Sequence, residues 1–316
     1  MRNHSLLLTA PRHLEWVSED LPPLQSDQVL IQTTIGAISI GSELPLYRGT
    51  ARSSELIRYP RMTGYESLGV IIDRGSVVQH LNIGDRVVAF YGHRTHGIVS
   101  ETKAIPVPDD ISDALALLVI LTCDVTKGIR KVSPKPYKPV LITGAGTIGL
   151  LTVFMLKAHG VQTIDVAEPN TERQTLALEL GACMTMTPEE MSSGKERYPI
   201  AFECSSRNAA FELLQARMQQ NGRICILSDG NLEPLVLAPA FHEKELMIVG
   251  SSDGWDYQEH AKWYFNLVRK HPSHLEQIFD YHTTSDELIA TFERLAIGAM
   301  MSTKVLVHYK QNAMEL

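Results

Sequence analysis

The residues whose types and spacing most directly suggest chemistry are the glycines of Val140–Gly149, VLITGAGTIG. Gly144, Gly146 and Gly149 make a G-x-G-x-x-G spacing between a short apolar run, Val140–Ile142, and the start of a helical period. In such a setting the first glycine permits a tight turn and the second lets a pyrophosphate approach bare backbone. The third lets the helix pack closely on a sheet. An anion then sits at the helix N-terminus, where free N–H groups and the macrodipole favour negative charge. A second apolar run, Thr163–Ala167, ends at Glu168, 19 positions after Gly149, near the offset of about 20 residues expected of an acid that binds an adenosine ribose. This order predicts a dinucleotide site formed by Gly144, Gly146, Thr147, Ile148, Gly149 and Glu168. The plainer alternative is a parallel βαβ unit that binds nothing. A carboxylate at 168 suits both ribose hydroxyls and repels an added 2′-phosphate, and a lone Arg173 follows it, so NAD is favoured over NADP.

The elements around this turn alternate. Thr147–His159 has Ile148, Leu151, Phe154, Met155 and Ala158 at helical spacing and stops at Gly160. Asn170 caps a helix that ends before Gly181, and Thr187-Pro188-Glu189-Glu190 forms a capping box. Ile200–Cys204, Arg223–Leu227 and Leu246–Gly250 are further strands, with a helix over Asn208–Gln219 stopped by Gly222. Six strands with helical crossovers predict a doubly wound parallel sheet. Ser205 follows a strand C-terminus, where adenosine binds in such sheets.

Residues 5–110 are of another kind. Gln28–Thr34, Gly69–Asp73 and Asp85–Phe90 are short Val- and Ile-rich runs punctuated by Gly, Pro and Asp, which predicts a β-rich lobe. A helix is expected over Asp113–Val125. Past Gly250, helices over Gln258–Lys270 and Glu287–Ala296 and a strand at Lys304–His308 close the chain. At 316 residues, 44% hydrophobic and 21% charged, the protein is long enough for two domains of ordinary globular composition. A net charge of −7 argues against a nucleic-acid partner. No apolar run has membrane-spanning length, and Cys123, Cys183, Cys204 and Cys225 lack close pairing, so a cytoplasmic protein without a membrane partner is expected.

Several stretches resemble the medium-chain dehydrogenases. Gly36–Gly49, GAISIGSELPLYRG, is similar to their active-site loop, commonly G-x-C-G-(S/T)-(D/E) closing with R-G. Thr63–Gly69, TGYESLG, resembles their G-H-E-x-x-G segment; Gly84–Val88 and Cys123–Gly128 also match in order and spacing. The resemblance implies an α/β protein: a GroES-like β-barrel catalytic domain at 1–124 and 251–316, and a Rossmann dinucleotide-binding domain at 125–250. It also implies that Ser228 and Ser251 meet the nicotinamide end, that Trp255 and Tyr257 either line an interdomain cleft or pack behind it, and that a homodimer could form through Leu246–Gly250.

The sequence departs from this family where the family binds catalytic zinc. Ile40 stands at a Cys position and Tyr65 at a His position, leaving only Cys123 matched, and the four-cysteine structural zinc lobe is missing. The expectation is a zinc-free member; a residual metal site would need Cys123, Glu66 and one of His93 or His96. Ser42 matches the family's relay hydroxyl. Tyr65 either serves as a general acid, if neighbours lower its pKa from about 10, or fills the volume of the missing metal. Glu66 is a catalytic acid or a structural carboxylate paired with a buried arginine such as Arg48. Glu43 binds substrate or closes the loop, and His93 or His96 could shuttle a proton. Ser42, Tyr65, Glu66 and His96 are thus the candidate catalytic residues. Ser39–Glu43 also resembles a metal-free subgroup that includes bacteriochlorophyllide dehydrogenases, which implies zinc-independent alcohol chemistry and leaves the small-molecule substrate open. The expected activity is NAD-dependent hydride transfer between a secondary alcohol and a ketone. The alternatives are a metal-free quinone or enoyl reductase and a non-catalytic redox sensor.

Overall fold

The computed structural model describes residues 1–51, 57–195, 197–229, 233–271 and 274–310. They form two compact units, Met1–Leu118 with the chain from Phe279 onward, and Val119–Ile278. The sequence reading draws these boundaries at 124/125 and 250/251 instead. The difference comes from two helices, Val119–Val132 and Tyr257–Lys270, which pack on each other within the second unit.

In the first unit, β1 (Arg2–Ala10) and β2 (His13–Asp20) form an antiparallel pair joined at its edge by β4 (Arg61–Met62). A larger sheet is built on β3 (Gln28–Ile38), which pairs with β5 (Glu66–Arg74) and β7 (His96–Ser100); β6 (Arg86–Ala89) and β8 (Ile105–Pro106) continue it beyond β5. Burial alternates along β3, so Val29 and Ile31 face a core with Ile71, Val87 and Ala89. Each of these valines and isoleucines contributes about 1.5–3 kcal/mol when fully buried. The last residues of β3 are buried throughout, and β3 leads directly into α1 (Ile40–Arg48). The stretch expected as a loop is therefore mostly helix, ended by Gly49 in the left-handed conformation at φ 70°. After a short α2 (Asp113–Leu117) the chain enters the second unit.

There α3 (Val119–Val132) precedes β9 (Val140–Thr143), α4 (Thr147–Ala158), β10 (Ile164–Ala167), α5 (Thr171–Glu179), β11 (Met184–Met186) and α6 (Pro188–Ser192). Next come β12 (Tyr198–Glu203), α7 (Asn208–Arg217), β13 (Met218–Ile226), α8 (Pro239–Glu243), β14 (Met247–Gly250) and α9 (Tyr257–Lys270). The six strands lie in the order β11-β10-β9-β12-β13-β14 with every neighbouring pair parallel. The order reverses between β9 and β12, and ligands bind beyond the strand C-termini at such a switch point. Two local expectations change. Helix α7 ends at Arg217, five residues before Gly222, because β13 starts at Met218. Helix α4 is buried on all sides from Gly149 to Leu156, because it packs on α3 as well as on the sheet.

The chain returns to the first unit with β15 (Phe279–Thr284), α10 (Leu288–Ala296) and β16 (Lys304–His308). Strand β16 lies between β15 and β3 and is buried from Lys304 to Val307. Ile38, Leu44, Tyr47, Phe292, Val305 and Val307 share a core with Leu6 and Leu8 of β1. Among the described residues no helix is long and apolar enough to cross a membrane.

Candidate functional site

Where β3 ends, Ser39 occupies the N-cap of α1 with extended backbone, φ −85° and ψ 91°. Its hydroxyl does not cap the helix. Glu43, one turn on, reaches back and accepts the Ser39 N–H at 2.8 Å. The other Glu43 oxygen accepts the Gly64 N–H at 3.0 Å and lies 3.2 Å from His93 Nε2. Of its two expected roles, Glu43 performs loop closure, holding α1 to the residues that precede β5.

The Ser39 hydroxyl turns inward and donates to Glu66 Oε1. Lys304, at the start of β16, donates to the same oxygen at 2.6 Å and to Ser39 Oγ at 3.1 Å. Lys304 is 0% exposed, Glu66 1% and Ser39 7%, so this is an ion pair wholly inside the protein. Glu66 Oε2 is buried with no hydrogen-bond partner among the described residues. The carboxylate's partner is therefore Lys304, not Arg48. Arg48 lies elsewhere, donating to the carbonyls of Leu295 and Ala296 at the end of α10, where a cation suits the helix dipole.

Beside this pair, Tyr65 and Ser42 bring their hydroxyls to 3.3 Å, and the Ser42 hydroxyl also lies 3.4 Å from the Ser39 carbonyl oxygen. Burial, reinforced by the Glu66 charge, raises the Tyr65 pKa well above its ordinary value, outweighing the neighbouring Ser39 and Ser42 hydroxyls. The sequence reading requires a lowered pKa for acid catalysis; the direction found is the opposite. A phenol so placed stays protonated across the neutral range and acts as a neutral hydrogen-bond donor. Ile40, the neighbour of Ser39, packs against the apolar core.

His96 is not part of this group. It lies on β7 opposite Gln32, with its N–H donated to Asn3 and its ring Nδ1 3.0 Å from Thr95 Oγ1. Burial lowers its pKa. His93 is buried between Glu43 and Tyr309, whose hydroxyl is 3.4 Å from Nδ1. Both histidines have partners that position structure, and neither reaches Ser42 or Tyr65 by any hydrogen bond among those described.

In the second unit the glycine turn adopts the shape its spacing predicts. Gly144 has φ +84°, and a side chain at Gly149 would come within 1.9 Å of the Gly144 carbonyl oxygen. Gly146 is the N-cap of α4, and a side chain there would meet nothing within 4 Å. That open approach to a helix N-terminus, shared by Thr147 and Ile148 in the first turn, fits a pyrophosphate. Glu168 is buried at the end of β10, held by the N–H groups of Ala145 at 2.6 Å and Asn170 at 3.0 Å. Each carboxylate oxygen keeps a second lone pair for a ribose hydroxyl. These residues fit a dinucleotide.

The expected serines divide. The hydroxyls of Ser205 and Ser228 both donate to Glu203, which also accepts the N–H groups of Ser205 at 2.7 Å and Ser206 at 3.1 Å. Glu203 is 0% exposed and was not singled out in the sequence, although a glutamate closing an apolar run is a visible signal. Ser251 keeps a buried hydroxyl without a hydrogen-bond partner among the described residues. Trp255 and Tyr257 are packing residues. Arg130 lies 3.8 Å over the Trp255 ring, and the Tyr257 hydroxyl takes the Gly254 N–H and donates to Asp124.

A catalytic metal here would need Cys123, Glu66 and one of His93 or His96. Among the described residues no three His, Cys, Asp or Glu side chains are grouped to hold one. Of the residual set, Glu66 is bound to Lys304 and His93 lies against Glu43. Burial pushes the Cys123 thiol up to about 11, away from the thiolate a metal requires.

Residues 25–107 match the model of the alcohol dehydrogenase GroES-like domain. The chain is 26% identical to L-threonine 3-dehydrogenase of Vibrio cholerae over 98% of its own length and 100% of that protein. Among solved structures it is similar to a Sinorhizobium meliloti protein described as a zinc-binding dehydrogenase bound to NADP, with TM-score 0.84, 18% identity and coverage of 98% and 99% of the two chains. A second, from Escherichia coli, is described as a short chain alcohol dehydrogenase complexed with NADH, with TM-score 0.82, 20% identity and coverage of 97% and 99%. The fold is thus a GroES-like domain with a Rossmann-type parallel sheet, and the chain is similar along nearly its whole length to alcohol dehydrogenase-like oxidoreductases.

Proposed function

We propose that the protein catalyses NAD-dependent hydride transfer between a secondary alcohol and its ketone without a catalytic metal, using Ser42 and Tyr65 to bind the reacting oxygen. The observation that carries this reading is the pair of hydroxyls 3.3 Å apart, next to an apolar Ile40 and in place of a metal's ligands. Two hydroxyls can hold a substrate oxygen between them, one donating to it and the other accepting its proton. Gly144, Gly146, Gly149, Thr147, Ile148 and Glu168 would hold the dinucleotide, and Ser251 has a hydroxyl to offer it. When bound, the cofactor supplies the hydride acceptor or donor; the protein's own residues orient the oxygen and handle the proton. NAD is preferred to NADP because Glu168 is fixed by two backbone N–H groups and cannot easily swing away from a 2′-phosphate. The four free cysteines suit a reducing, cytoplasmic setting. The edge strand β14, with Met247 half exposed, is the candidate surface for a homodimer.

The test is turnover of secondary alcohols with NAD+, and of ketones, enones and quinones with NADH, on protein whose metal content has been measured. Ser42→Ala and Tyr65→Phe should each lower kcat by roughly 10²–10⁴-fold, the usual worth of positioned acid–base groups. A stoichiometric zinc on which activity depends would overturn the metal-free reading. Enone or quinone reduction indifferent to both substitutions would move the function to double-bond chemistry, and tight NADH binding without turnover would favour a sensor.

A further inference from the structure

The edge of the larger sheet in the first unit carries a pair of side chains that take no part in the proposed reaction. Strand β15 is that edge and runs parallel to β16, with His282 opposite Leu306 and Thr284 opposite His308. Alternation sends Val305 and Val307 into the core shared with Leu6 and Leu8, and the residues between them to the other face. His282 and His308 therefore share that other face, two positions apart in register, and both are exposed. His282 Nδ1 lies 3.2 Å from His308 Nε2, with the ring centroids 5.3 Å apart. Among the described residues neither ring makes a hydrogen bond to any other group.

We propose that His282 and His308 form a surface site for a divalent transition metal of the zinc, copper or nickel kind, with water completing the coordination. Two imidazole nitrogens, each about 2.0–2.1 Å from one tetrahedral zinc, stand about 3.3–3.4 Å apart. The 3.2 Å found here reaches that spacing by a small turn of two rings that hold no other partner. As a hydrogen bond between the rings, the same distance is at the long end of the usual range. A neutral imidazole has one bare nitrogen. With protons on His282 Nε2 and His308 Nδ1, the two bare nitrogens are the facing ones, so the ring that donates in the metal-free pair need only move its proton to its other nitrogen. Burial, followed by the neighbouring His282, lowers the His308 pKa, which favours the neutral form that binds metal. Paired imidazoles suit zinc, copper and nickel, whereas magnesium and calcium require oxygen. The metal would tie the edge strand β15 to β16, and the site shares no residue with Ser42, Tyr65 or the glycine turn.

The test is calorimetric titration of zinc chloride into the full chain carrying Cys183→Ser, so that the exposed thiol cannot compete. A single equivalent should bind in the micromolar range. His282→Asn and His308→Asn should each weaken that binding roughly 10–100-fold or more, since even the outer partners of a metal ligand carry that much. His13→Asn, which alters an exposed histidine paired with Glu15, should leave it unchanged. Copper should bind more tightly than nickel, and nickel more tightly than cobalt. The electron paramagnetic resonance spectrum of the copper form should show coupling to two nitrogens. No zinc uptake by the parent, equal affinity in both histidine variants, or copper coupled to a single nitrogen overturns the site. The double variant His282→Asn/His308→Asn lacks this site, so zinc that it retains and needs for turnover belongs to catalysis and bears on the metal-free reading alone.

Discussion

The two units each bury a glutamate, and the two sites differ in how the carboxylate is satisfied. Glu203, at the end of β12, accepts from four neutral donors: two backbone N–H groups and two serine hydroxyls that join the tips of β12 and β13. Among the described residues Glu66, at the start of β5, has a single cation and a single hydroxyl on one oxygen and nothing on the other. Fixed dipoles from the adjacent loops make Glu203 a structural tie whose charge is spread over its neighbours. Glu66 depends on one lysine from the far end of the chain and keeps an unused oxygen. The first arrangement spreads the charge over four donors; the second leaves it to one cation and one hydroxyl.

Breaking the Glu66 arrangement should therefore have the largest effect. Lys304→Met alone strands a buried carboxylate and should cost about 3–5 kcal/mol, measured by urea unfolding. Adding Glu66→Gln should recover most of that loss. If the double variant is no more stable than the single one, the lysine contributes packing and not charge. Glu203→Gln, of nearly equal shape, exchanges one acceptor oxygen for a donor and should cost about 1.5–3 kcal/mol, the usual worth of a hydrogen bond to a charged group. A loss as large as that of Lys304→Met would erase the proposed distinction between the two glutamates.

A third site provides a pH-dependent contrast. His260 in α9 is buried, 3.0 Å from Thr122 Oγ1 and packed against Trp255, Trp263 and Tyr264, with Nδ1 unpartnered. Burial, followed by the charge of Arg130, pushes its pKa down to about 3. An unfolded histidine takes a proton below about 6.5 while this one does not. Stability is therefore unaffected above that pH and falls as pH drops toward 3, by about 2 kcal/mol at pH 5. His260→Phe should flatten that acid limb, as followed by thermal melts from pH 8 to 5. The smallest effect is expected at Ser251, whose buried hydroxyl has no partner. Ser251→Ala should leave stability within about 0.5 kcal/mol, while NADH affinity by titration should weaken. Unchanged affinity would remove Ser251 from the cofactor site.

The parts of the molecule that were legible in the sequence are those fixed by nearby residues. The run from Val140 to Glu168 carries its own strand, turn and helix signals, and the structure places β9, the glycine turn, α4 and β10 there. Ser42 and Tyr65 were singled out through family resemblance, one as a match to a motif position and the other as a departure at one; their pairing was not read from the sequence. The rest of the site depends on contacts remote in sequence. Lys304 meets Glu66 across 238 residues, and no local pattern names that partner; Arg48 was an equally reasonable candidate. One signal was available. A lysine opening the run KVLVH looks like a surface residue at a strand end, yet a strand flanked on both edges buries it. His96 was misplaced for a related reason. Alternation along β7 does not say which neighbours its side chain meets; the ring Nδ1 lies against Thr95, while Asn3 holds the His96 backbone N–H.

The near contact of Gly149 with the Gly144 carbonyl has a kinetic consequence. The turn already has the open helix N-terminus and the close packing that the proposed pyrophosphate site needs, so that site is formed in advance of any dinucleotide. Little ordering entropy remains to oppose binding at that point. Association through this turn should be a single step limited by encounter and orientation, without a slow rearranging phase. Any slow phase seen on mixing with NADH would then have to be sought outside the glycine turn.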